Sequence, residues 1–343
     1  MVVRVMPAPE AGAVSRRWFA RSRAARPQRR VALALQGGGS HGAFTWGVLT
    51  RLIEDDTLAF DAVSGTSAGA VNAVLMADGL CRGGRAEAAA RLERFWHRLS
   101  TMAGPVPFGA WSAAAAAMGF SARQASPYRL NPLGIDPLRE MLAAEIDFAR
   151  LRAASPLRLL IAATNVRTGQ ARLFREHEIT VDAVLASACL PFLHHAVEID
   201  GEAYWDGAYS ANPPLSSLVA LCDADDIVLV RLTPEIVDTV PRRPQDIAQR
   251  LDQIVFNAPL RREIEAVVEL RRATYARLLP SLLSRRLRRL RLHTIAAADS
   301  AAELLQTSAF EVDRGFLTRL RDAGAAAAET CLTQMRRQGL EPA

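Results

Sequence analysis

Ser67 lies at the centre of the stretch Gly65-Thr66-Ser67-Ala68-Gly69, between an apolar run at 60–63 and a helical pattern that begins at Ala68. A nucleophilic serine needs such a tight turn from strand to helix, and flanking glycines let neighbouring backbone pass without a side-chain clash. The helix that follows directs its positive end toward the charge that develops on an attacked carbonyl. This spacing predicts a nucleophile at Ser67, with Gly65 and Gly69 shaping its turn.

A second glycine-rich turn, Gly37-Gly38-Gly39-Ser40-His41-Gly42, follows the apolar run at 31–35. Successive free N–H groups before a helix stabilise the negative oxygen that forms during ester hydrolysis, and one well-placed donor contributes about 3–4 kcal/mol. Because two such turns follow adjacent strands, the pattern favours an oxyanion hole at Gly37, Gly38 and Gly39. A phosphate-binding or purely structural turn is the alternative.

The same turn also satisfies the dinucleotide fingerprint G-x-G-x-x-G. That fingerprint requires an acidic residue at the end of the second strand, about 20 residues on, to bind the ribose. Here the second predicted strand ends in Val63-Ser64-Gly65, and Asp61 lies near its start. The fingerprint therefore lacks its confirming context.

A serine nucleophile also needs a general base. None of the six histidines has a distinctive context: His293 follows a basic segment, and His194 and His195 follow a proline turn. Asp206, in the stretch Tyr204-Trp205-Asp206-Gly207-Ala208, comes directly after a hairpin-like turn. A carboxylate serves as a base when desolvation adjusts its pKa, so Asp206 is the better candidate.

The elements around these motifs alternate between strand and helix, which predicts an α/β fold with a parallel sheet and right-handed crossovers. Apolar runs predict strands at 31–35, 60–63, 157–163, 171–174, 196–199 and 227–232. Helical spacing predicts helices at 42–54, 68–80, 86–99, 136–145, 180–188 and 214–221.

The chain of 343 residues is predicted to form one domain at 31–332, mostly helical from 244 to 332. Residues 1–30 hold eight arginines and one acidic residue and are predicted to be a disordered basic tail, and 333–343 a C-terminal tail. Within the domain, the proline- and alanine-rich stretch 101–135 is predicted to be an insertion; a lid and an ordinary surface loop are both consistent with it.

The composition excludes several classes of protein. Half of the residues are hydrophobic and 23% are charged, for a net charge of +6, which excludes a disordered chain. No apolar run approaches the ~18 residues of a membrane-spanning helix. The four cysteines are widely spaced, which argues against a zinc site or a disulfide framework. We therefore expect no metal, no organic cofactor and a cytoplasmic location.

The segment 271–292 interleaves arginines with leucines, and residues 271–291 contain eight arginines and no acidic residue. Such segments bind anionic lipid surfaces as amphipathic helices, which predicts peripheral membrane contact. An exposed arginine face over a leucine face packed in the core is an equal alternative. Nucleic-acid binding is not expected, because no recognised binding module accompanies the arginines.

Taken in order, four segments of the chain resemble the patatin-like phospholipases, especially the bacterial members. The stretch Gly37–Gly42 resembles the family's oxyanion motif and Gly65–Gly69 its nucleophile elbow. Asp206-Gly207-Ala208 resembles its DG[GA] motif, with Asn212-Pro213-Pro214 after it. Ala186-Ser187-Ala188-Cys189-Leu190-Pro191 resembles the segment before that aspartate. The resemblance extends from about Val31 to about Leu332.

This resemblance implies a three-layer α/β/α fold with a mainly parallel sheet and added C-terminal helices. It implies a catalytic dyad of Ser67 and Asp206 without histidine, which hydrolyses lipid acyl esters through an acyl-serine intermediate, as a phospholipase A or lysophospholipase does. His41 departs from the family, since many members have arginine or lysine there and a neutral imidazole supplies less positive potential. A nucleotide-binding oxidoreductase and a non-catalytic scaffold of the same fold remain the alternatives, and the oligomeric state is open.

Overall fold

The computed structural model describes residues 28–102, 126–275 and 282–338. Within them, one eight-stranded sheet has the order β5-β6-β3-β2-β1-β7-β8, with β4 paired to β3. Five neighbouring strands run parallel to one another: β3, β2, β1, β7 and β8. The other three, β4, β5 and β6, pair in antiparallel fashion. The strands are β1 (Arg29–Leu35), β2 (Leu58–Thr66), β3 (Arg158–Asn165), β4 (Ala171–Arg175), β5 (Val197–Ile199), β6 (Glu202–Asp206), β7 (Asp226–Arg231) and β8 (Arg291–Ala296).

Helices connect these strands and extend the chain beyond the sheet. They are α1 (Gly42–Glu54), α2 (Ala68–Met102), α3 (Pro127–Leu130), α4 (Pro137–Glu145), α5 (Phe148–Ala154), α6 (Val181–Ser187), α7 (Leu215–Leu221), α8 (Pro244–Tyr275), α9 (Leu282–Arg289), α10 (Ala297–Ser300) and α11 (Arg314–Gln338). Helix α2 is interrupted at Gly83 and Gly84, so it matches the two helices predicted at 68–80 and 86–99. No described helix combines the length and the apolarity needed to cross a bilayer.

Several helices begin at residues that satisfy their free N–H groups. Asp136 caps α4, Asp147 caps α5 and Thr180 caps α6, each by accepting a hydrogen bond from a backbone N–H two or three residues on. The seven-residue α5 was not predicted, because Phe148 and Leu151 are its only large apolar residues.

Alternate residues of β1 point to opposite faces of the sheet. Val31, Leu33 and Leu35 pack in a large core with residues of α1, α2 and α11. Ala32 and Ala34 pack on the other face, in a smaller core with residues of α7, α8 and α9. Helices therefore cover both faces, which confirms the predicted three-layer α/β/α fold with a mainly parallel sheet.

Strand β8 lies in the part of the chain that is predicted to be mostly helical, and it is not among the predicted strands. It pairs in parallel with β7 and forms one end of the sheet order. His293 and Ile295, which point to one face of the sheet, are buried, whereas its other residues are exposed or half-buried. Its sequence follows directly on an arginine-rich helix, so it shows no apolar run of the kind that identified the other parallel strands.

The basic segment 271–292 does not form one amphipathic helix in the described residues. Helix α8 is described as far as Tyr275, α9 covers Leu282–Arg289, and β8 begins at Arg291. Leu287 and Leu290 are both buried in the smaller core. Around these two leucines, the arrangement favours the alternative interpretation, in which leucines pack in the core under an arginine face.

The predicted tails and insertion fall largely on residues outside the described ranges, which exclude 1–27, 103–125 and 339–343. Of the predicted basic tail, Arg29 and Arg30 belong to β1, and α11 continues past residue 332 to Gln338. The described part of the predicted insertion contains α3.

Candidate active site

The two glycine-rich turns lie next to each other at one edge of the sheet. Strands β1 and β2 are parallel neighbours, and Leu35 pairs with Gly65 near their carboxyl ends. Each strand is followed by its turn and then by a helix, α1 or α2. Ligands of open α/β sheets bind at this carboxyl edge, so the fold brings both motifs to the place where chemistry is expected.

Ser67 has the backbone conformation of a nucleophile elbow. Its φ of 55° is left-handed, which is a strained region for a residue with a Cβ atom. Its N–H donates a hydrogen bond to Ser187 Oγ at 2.9 Å. The turn is tightly packed: a Cβ atom on Gly69 would overlap the carbonyl of Leu35, and one on Gly65 would overlap the carbonyl of Gly69. Both glycines are therefore required by close backbone approach, as predicted.

The register of β3 brings Asp206 to Ser67. Thr66, the last residue of β2, pairs with Ala162, and Asp206, the last residue of β6, pairs with the next residue, Ala163. The Ser67 side chain lies close enough to the Asp206 carboxylate to lower its pKa. A Cβ atom on Gly207 would overlap the carbonyl of Ala162, so this glycine lets the chain turn against β3 directly after the aspartate.

Burial dominates the electrostatics of Asp206, whose exposed fraction is 1%. Desolvation raises the pKa of Asp206 to about 7, against the opposing effect of hydrogen bonds from the Ala208 N–H and from Ser67. The Ala208 N–H donates to Asp206 Oδ1 at 2.8 Å and fixes the orientation of the carboxylate. This arrangement provides a carboxyl group that gains or loses its proton near neutral pH.

The histidine candidates do not contact Ser67. His293 Nε2 lies 2.7 Å from Oδ1 of Asp226, which begins β7 at the opposite edge of the sheet. His194 and His195 line the wall of the pocket beside Ser67. Among the described residues, Asp206 is the titratable group whose pKa the Ser67 side chain lowers.

Within the described residues, one backbone N–H group of the triple glycine is hydrogen-bonded and two are not. The Gly37 N–H donates to Asn212 Oδ1 at 2.8 Å. The N–H groups of Gly38 and Gly39 have no hydrogen-bond partner within the described residues. Gly39 has a φ of 58°, and a Cβ atom there would overlap the carbonyl of Ala309. Of the three predicted oxyanion donors, two are thus available and the first anchors the loop.

A pocket of about 480 Å³ opens beside Ser67. It is lined by Gly39 and Ser40 of the glycine loop and by a majority of apolar side chains, and no arginine of the described residues lines it. Its size and lining are typical of sites that bind an apolar small molecule. The apolar lining includes Val71, Phe95, Trp96, Leu99, Leu185 and Leu193.

The described residues contain no group of three His, Cys, Asp or Glu side chains arranged to hold a metal ion.

The sequence motifs did not predict two side chains that support the site, Ser187 and Asn212. They lie in the stretches 186–191 and 212–214, which resemble the family, but their contacts with Ser67 and Gly37 depend on pairing between distant parts of the chain.

His41 is buried below the glycine loop and holds it to the C-terminal part of the chain. Its Nε2 lies 3.1 Å from the carbonyl of Thr307, which requires a proton on that nitrogen, and its ring contacts Phe316 edge-on. Burial lowers the pKa of His41 to about 4, although the hydrogen bond to Thr307 opposes this change. The side chain is therefore a neutral tether at neutral pH, not a source of positive potential.

We expect this burial to make stability depend on pH. The folded-state pKa of His41 lies below its ordinary value of 6.5, so the unfolded chain binds more protons between these values. The contribution of neutral His41 to the free energy of unfolding is fully present above pH 6.5. It decreases by about 3 kcal/mol as the pH falls toward 4. His41→Gln keeps an N–H donor and removes this titration. Urea unfolding at pH 7 and 4.5 should show a smaller loss for His41→Gln than for wild type.

The matched control is His177→Gln, because His177 is an exposed histidine. It should lose as much stability on acidification as the wild type. An identical loss in His41→Gln and His177→Gln would show that His41 does not titrate as its burial requires.

The family model of patatin-like phospholipases matches residues 33–219, more than half of the chain. Two solved structures are similar at low identity. VipD from Legionella pneumophila has 15% identity and a TM-score of 0.45, over 90% of this chain and 67% of VipD. The type III effector ExoU from Pseudomonas aeruginosa has 16% identity and a TM-score of 0.38, over 90% of this chain and 54% of ExoU. No curated protein matches the chain significantly.

Proposed function

The chain belongs to the patatin-like phospholipase family, and from this premise we propose that it is a serine lipid acyl hydrolase of the phospholipase A or lysophospholipase type. The observation that carries the proposal is the placement of Ser67, at a strained elbow, beside the buried carboxylate of Asp206, whose pKa it lowers. Ser67 also lines an apolar pocket, which suits a substrate with an acyl chain.

In the acylation step, the Ser67 oxygen attacks the ester carbonyl carbon while Asp206 accepts the hydroxyl proton. The carbonyl π electrons move to its oxygen, and the free N–H groups of Gly38 and Gly39 donate hydrogen bonds to that oxyanion. The tetrahedral intermediate then collapses, the bond to the alcohol oxygen breaks, and Asp206 returns the proton to that oxygen. The products of this step are an alcohol, such as a lysolipid, and an acyl-Ser67 ester.

Deacylation repeats these events with water. Asp206 removes a proton from the water molecule that attacks the acyl-Ser67 carbonyl, and the same amides stabilise the second oxyanion. Breaking the bond to the Ser67 oxygen, with return of the proton, releases a fatty acid and restores the dyad. No cofactor enters this sequence.

The pKa of Asp206 supports its role as a base. A carboxylate with its ordinary pKa is too weak a base to remove a serine proton efficiently, and the ideal catalytic pKa lies near the working pH. The burial that raises the pKa of Asp206 to about 7 brings the group close to this optimum. Protonated Asp206 is then also an acid strong enough to protonate the leaving alcohol.

The apolar pocket favours this function over the nucleotide-binding alternative. A dinucleotide carries two phosphate charges and a ribose, but the described lining of the pocket contains no arginine. The glycine loop holds one of its amides against Asn212 and is followed by the buried His41, a neutral group. NAD(P) titration followed by calorimetry should therefore show no saturable binding. Saturable binding would favour the oxidoreductase alternative.

We propose a lipid substrate without membrane contact through the segment 271–292. The leucines that such contact would require include Leu287 and Leu290, which are packed in the core. Insertion of these side chains into a bilayer would require α9 to leave the fold.

The proposal is tested by incubating the purified chain with p-nitrophenyl esters of acyl chains from four to sixteen carbons, and with phospholipids, lysophospholipids and neutral esters. We expect cleavage, with a preference for long chains that fill the pocket. A fluorophosphonate probe should label Ser67, as mass spectrometry of the labelled peptide would show. Absence of both cleavage and labelling would favour a non-catalytic scaffold.

A further inference from the structure

Asn72 is a fully buried polar residue in α2, one turn beyond the nucleophile elbow. Its amide nitrogen donates hydrogen bonds to the carbonyl oxygens of Gly42 and Ala68, both at 3.0 Å. Its Oδ1 accepts a hydrogen bond from the indole N–H of Trp96, also at 3.0 Å. Both amide protons and the carbonyl oxygen of the side chain are therefore engaged.

The three partners belong to three different parts of the site. Gly42 begins α1 directly after the glycine loop, Ala68 follows the nucleophile, and Trp96 lines the pocket. The bond to Ala68 is local to α2, as is common for a polar side chain in a helix. The bond to Gly42 crosses to α1, and the bond to Trp96 crosses the interruption of α2 at Gly83 and Gly84. A residue that only satisfied its own turn of helix would not need either bond.

We propose that Asn72 is a positioning residue that couples the acyl pocket to the oxyanion loop. The inference rests on the proposed function. An acyl chain in the pocket packs against Trp96, and the indole N–H of Trp96 holds the Asn72 carboxamide in one orientation. That orientation directs the amide protons at Gly42 and Ala68, and so fixes the start of α1 relative to the start of α2.

This distance matters because the reacting groups come from both elements. The oxyanion donors, Gly38 and Gly39, precede α1, whereas Ser67 precedes α2. A misplacement of about 1 Å between nucleophile and donors lowers a rate by about 100-fold. A buried network in which every polar group is paired has one favoured arrangement, which is the property that such positioning requires.

The first experiment compares Asn72→Ala with Val74→Ala. Val74 is also fully buried in α2 but lines no part of the pocket, so its truncation destabilises the same helix without touching the network. Rates are measured on p-nitrophenyl palmitate below the melting temperature of each variant and are divided by the folded fraction. We expect kcat to fall by about 100-fold in Asn72→Ala and to stay within about twofold of wild type in Val74→Ala.

The second experiment is a double-mutant cycle with Trp96→Phe, which removes the indole N–H and keeps an aromatic ring in the pocket. Because Asn72→Ala already breaks this bond, the double variant should have the kcat of Asn72→Ala within about twofold. The effect of Trp96→Phe on kcat should also be larger for the palmitate than for the butyrate ester, whose short chain does not reach along the pocket wall.

The outcomes separate this inference from the proposed function. Wild-type cleavage with an unchanged kcat in Asn72→Ala, or independent effects of the two substitutions on kcat, would overturn the positioning role alone. A wild-type chain that cleaves no ester would overturn both. If kcat fell equally in Asn72→Ala and Val74→Ala, the role of Asn72 would be to stabilise the fold and not to position the reacting groups.

Discussion

Replacing Ser67 with alanine is expected to lower kcat for p-nitrophenyl palmitate by about 10⁶-fold, the scale seen when a serine hydrolase loses its nucleophile. The reason is that the remaining dyad member, Asp206, has no hydroxyl to deprotonate, so that only the oxyanion loop and the pocket still favour the reaction. The fold should persist, because alanine adds no atom to the tightly packed turn. Initial rates and circular dichroism on the same preparation check both statements.

The matched control is Ser64→Ala, the same chemical change three residues earlier on β2. Ser64 is fully buried, and its hydroxyl has no hydrogen-bond partner within the described residues. Its removal should leave kcat within about twofold of wild type. If Ser67→Ala retained more than a hundredth of the wild-type rate, or if Ser64→Ala were equally inactive, Ser67 would not be the nucleophile.

The turn motifs could be predicted from the sequence because their constraints are local. Gly65 and Gly69 are needed within a few residues of Ser67, and the helix that follows is encoded by its own apolar spacing. Parallel strands such as β1 are buried on both faces and appear as continuous apolar runs. These features are visible without knowledge of any distant contact.

The contacts that complete the site are not local, and the sequence could not specify them. Asp206 of β6 reaches Ser67 because it pairs with Ala163 of β3. The preceding residue of β3, Ala162, pairs with Thr66, which directly precedes Ser67. This register depends on β6, one of three short strands that pair in antiparallel fashion beside the parallel ones. The bond from Gly37 to Asn212 similarly joins parts of the chain that no sequence pattern relates.

His41 shows a different limit. The residue type predicted a weaker positive potential than arginine or lysine would supply, but not where the imidazole lies. The structure buries it against Thr307 and Phe316, in a segment beyond the part of the chain that the family model matches. Its tethering role depends on a partner that could not be identified by family motifs.

Asp206→Asn is expected to lower kcat by about 10²–10⁴-fold, the usual contribution of a general base. Asparagine has nearly the same shape and still accepts a hydrogen bond, but it cannot remove the Ser67 proton. The wild-type kcat/KM should also fall tenfold per pH unit below about 7, since the pKa of Asp206 lies near that value. Rates from pH 5 to 9 test this, and a flat wild-type profile would contradict the assignment.

The same burial predicts that Asp206→Asn stabilises the fold at alkaline pH. Because the folded-state pKa of Asp206 is raised to about 7 from 3.8, the folded chain binds more protons than the unfolded chain between these values. The stability from this group is therefore fully present below pH 3.8 and is lost as the pH rises through 7. The ionised group costs on the order of 4 kcal/mol at pH 8, a penalty that neutral asparagine avoids.

Urea unfolding should consequently give Asp206→Asn a higher free energy of unfolding than wild type at pH 8, and the difference should shrink steadily toward pH 4.5. Comparing the two proteins at each pH cancels the opposite contribution of His41, which both share. A stabilised but inactive variant would connect the two effects, because the desolvation that makes Asp206 a stronger base is also what destabilises its charged form in the fold. Equal stability of the two proteins at every pH would mean that Asp206 is not held in a desolvated environment. Desolvation would then not explain why Asp206 is a stronger base than an ordinary carboxylate.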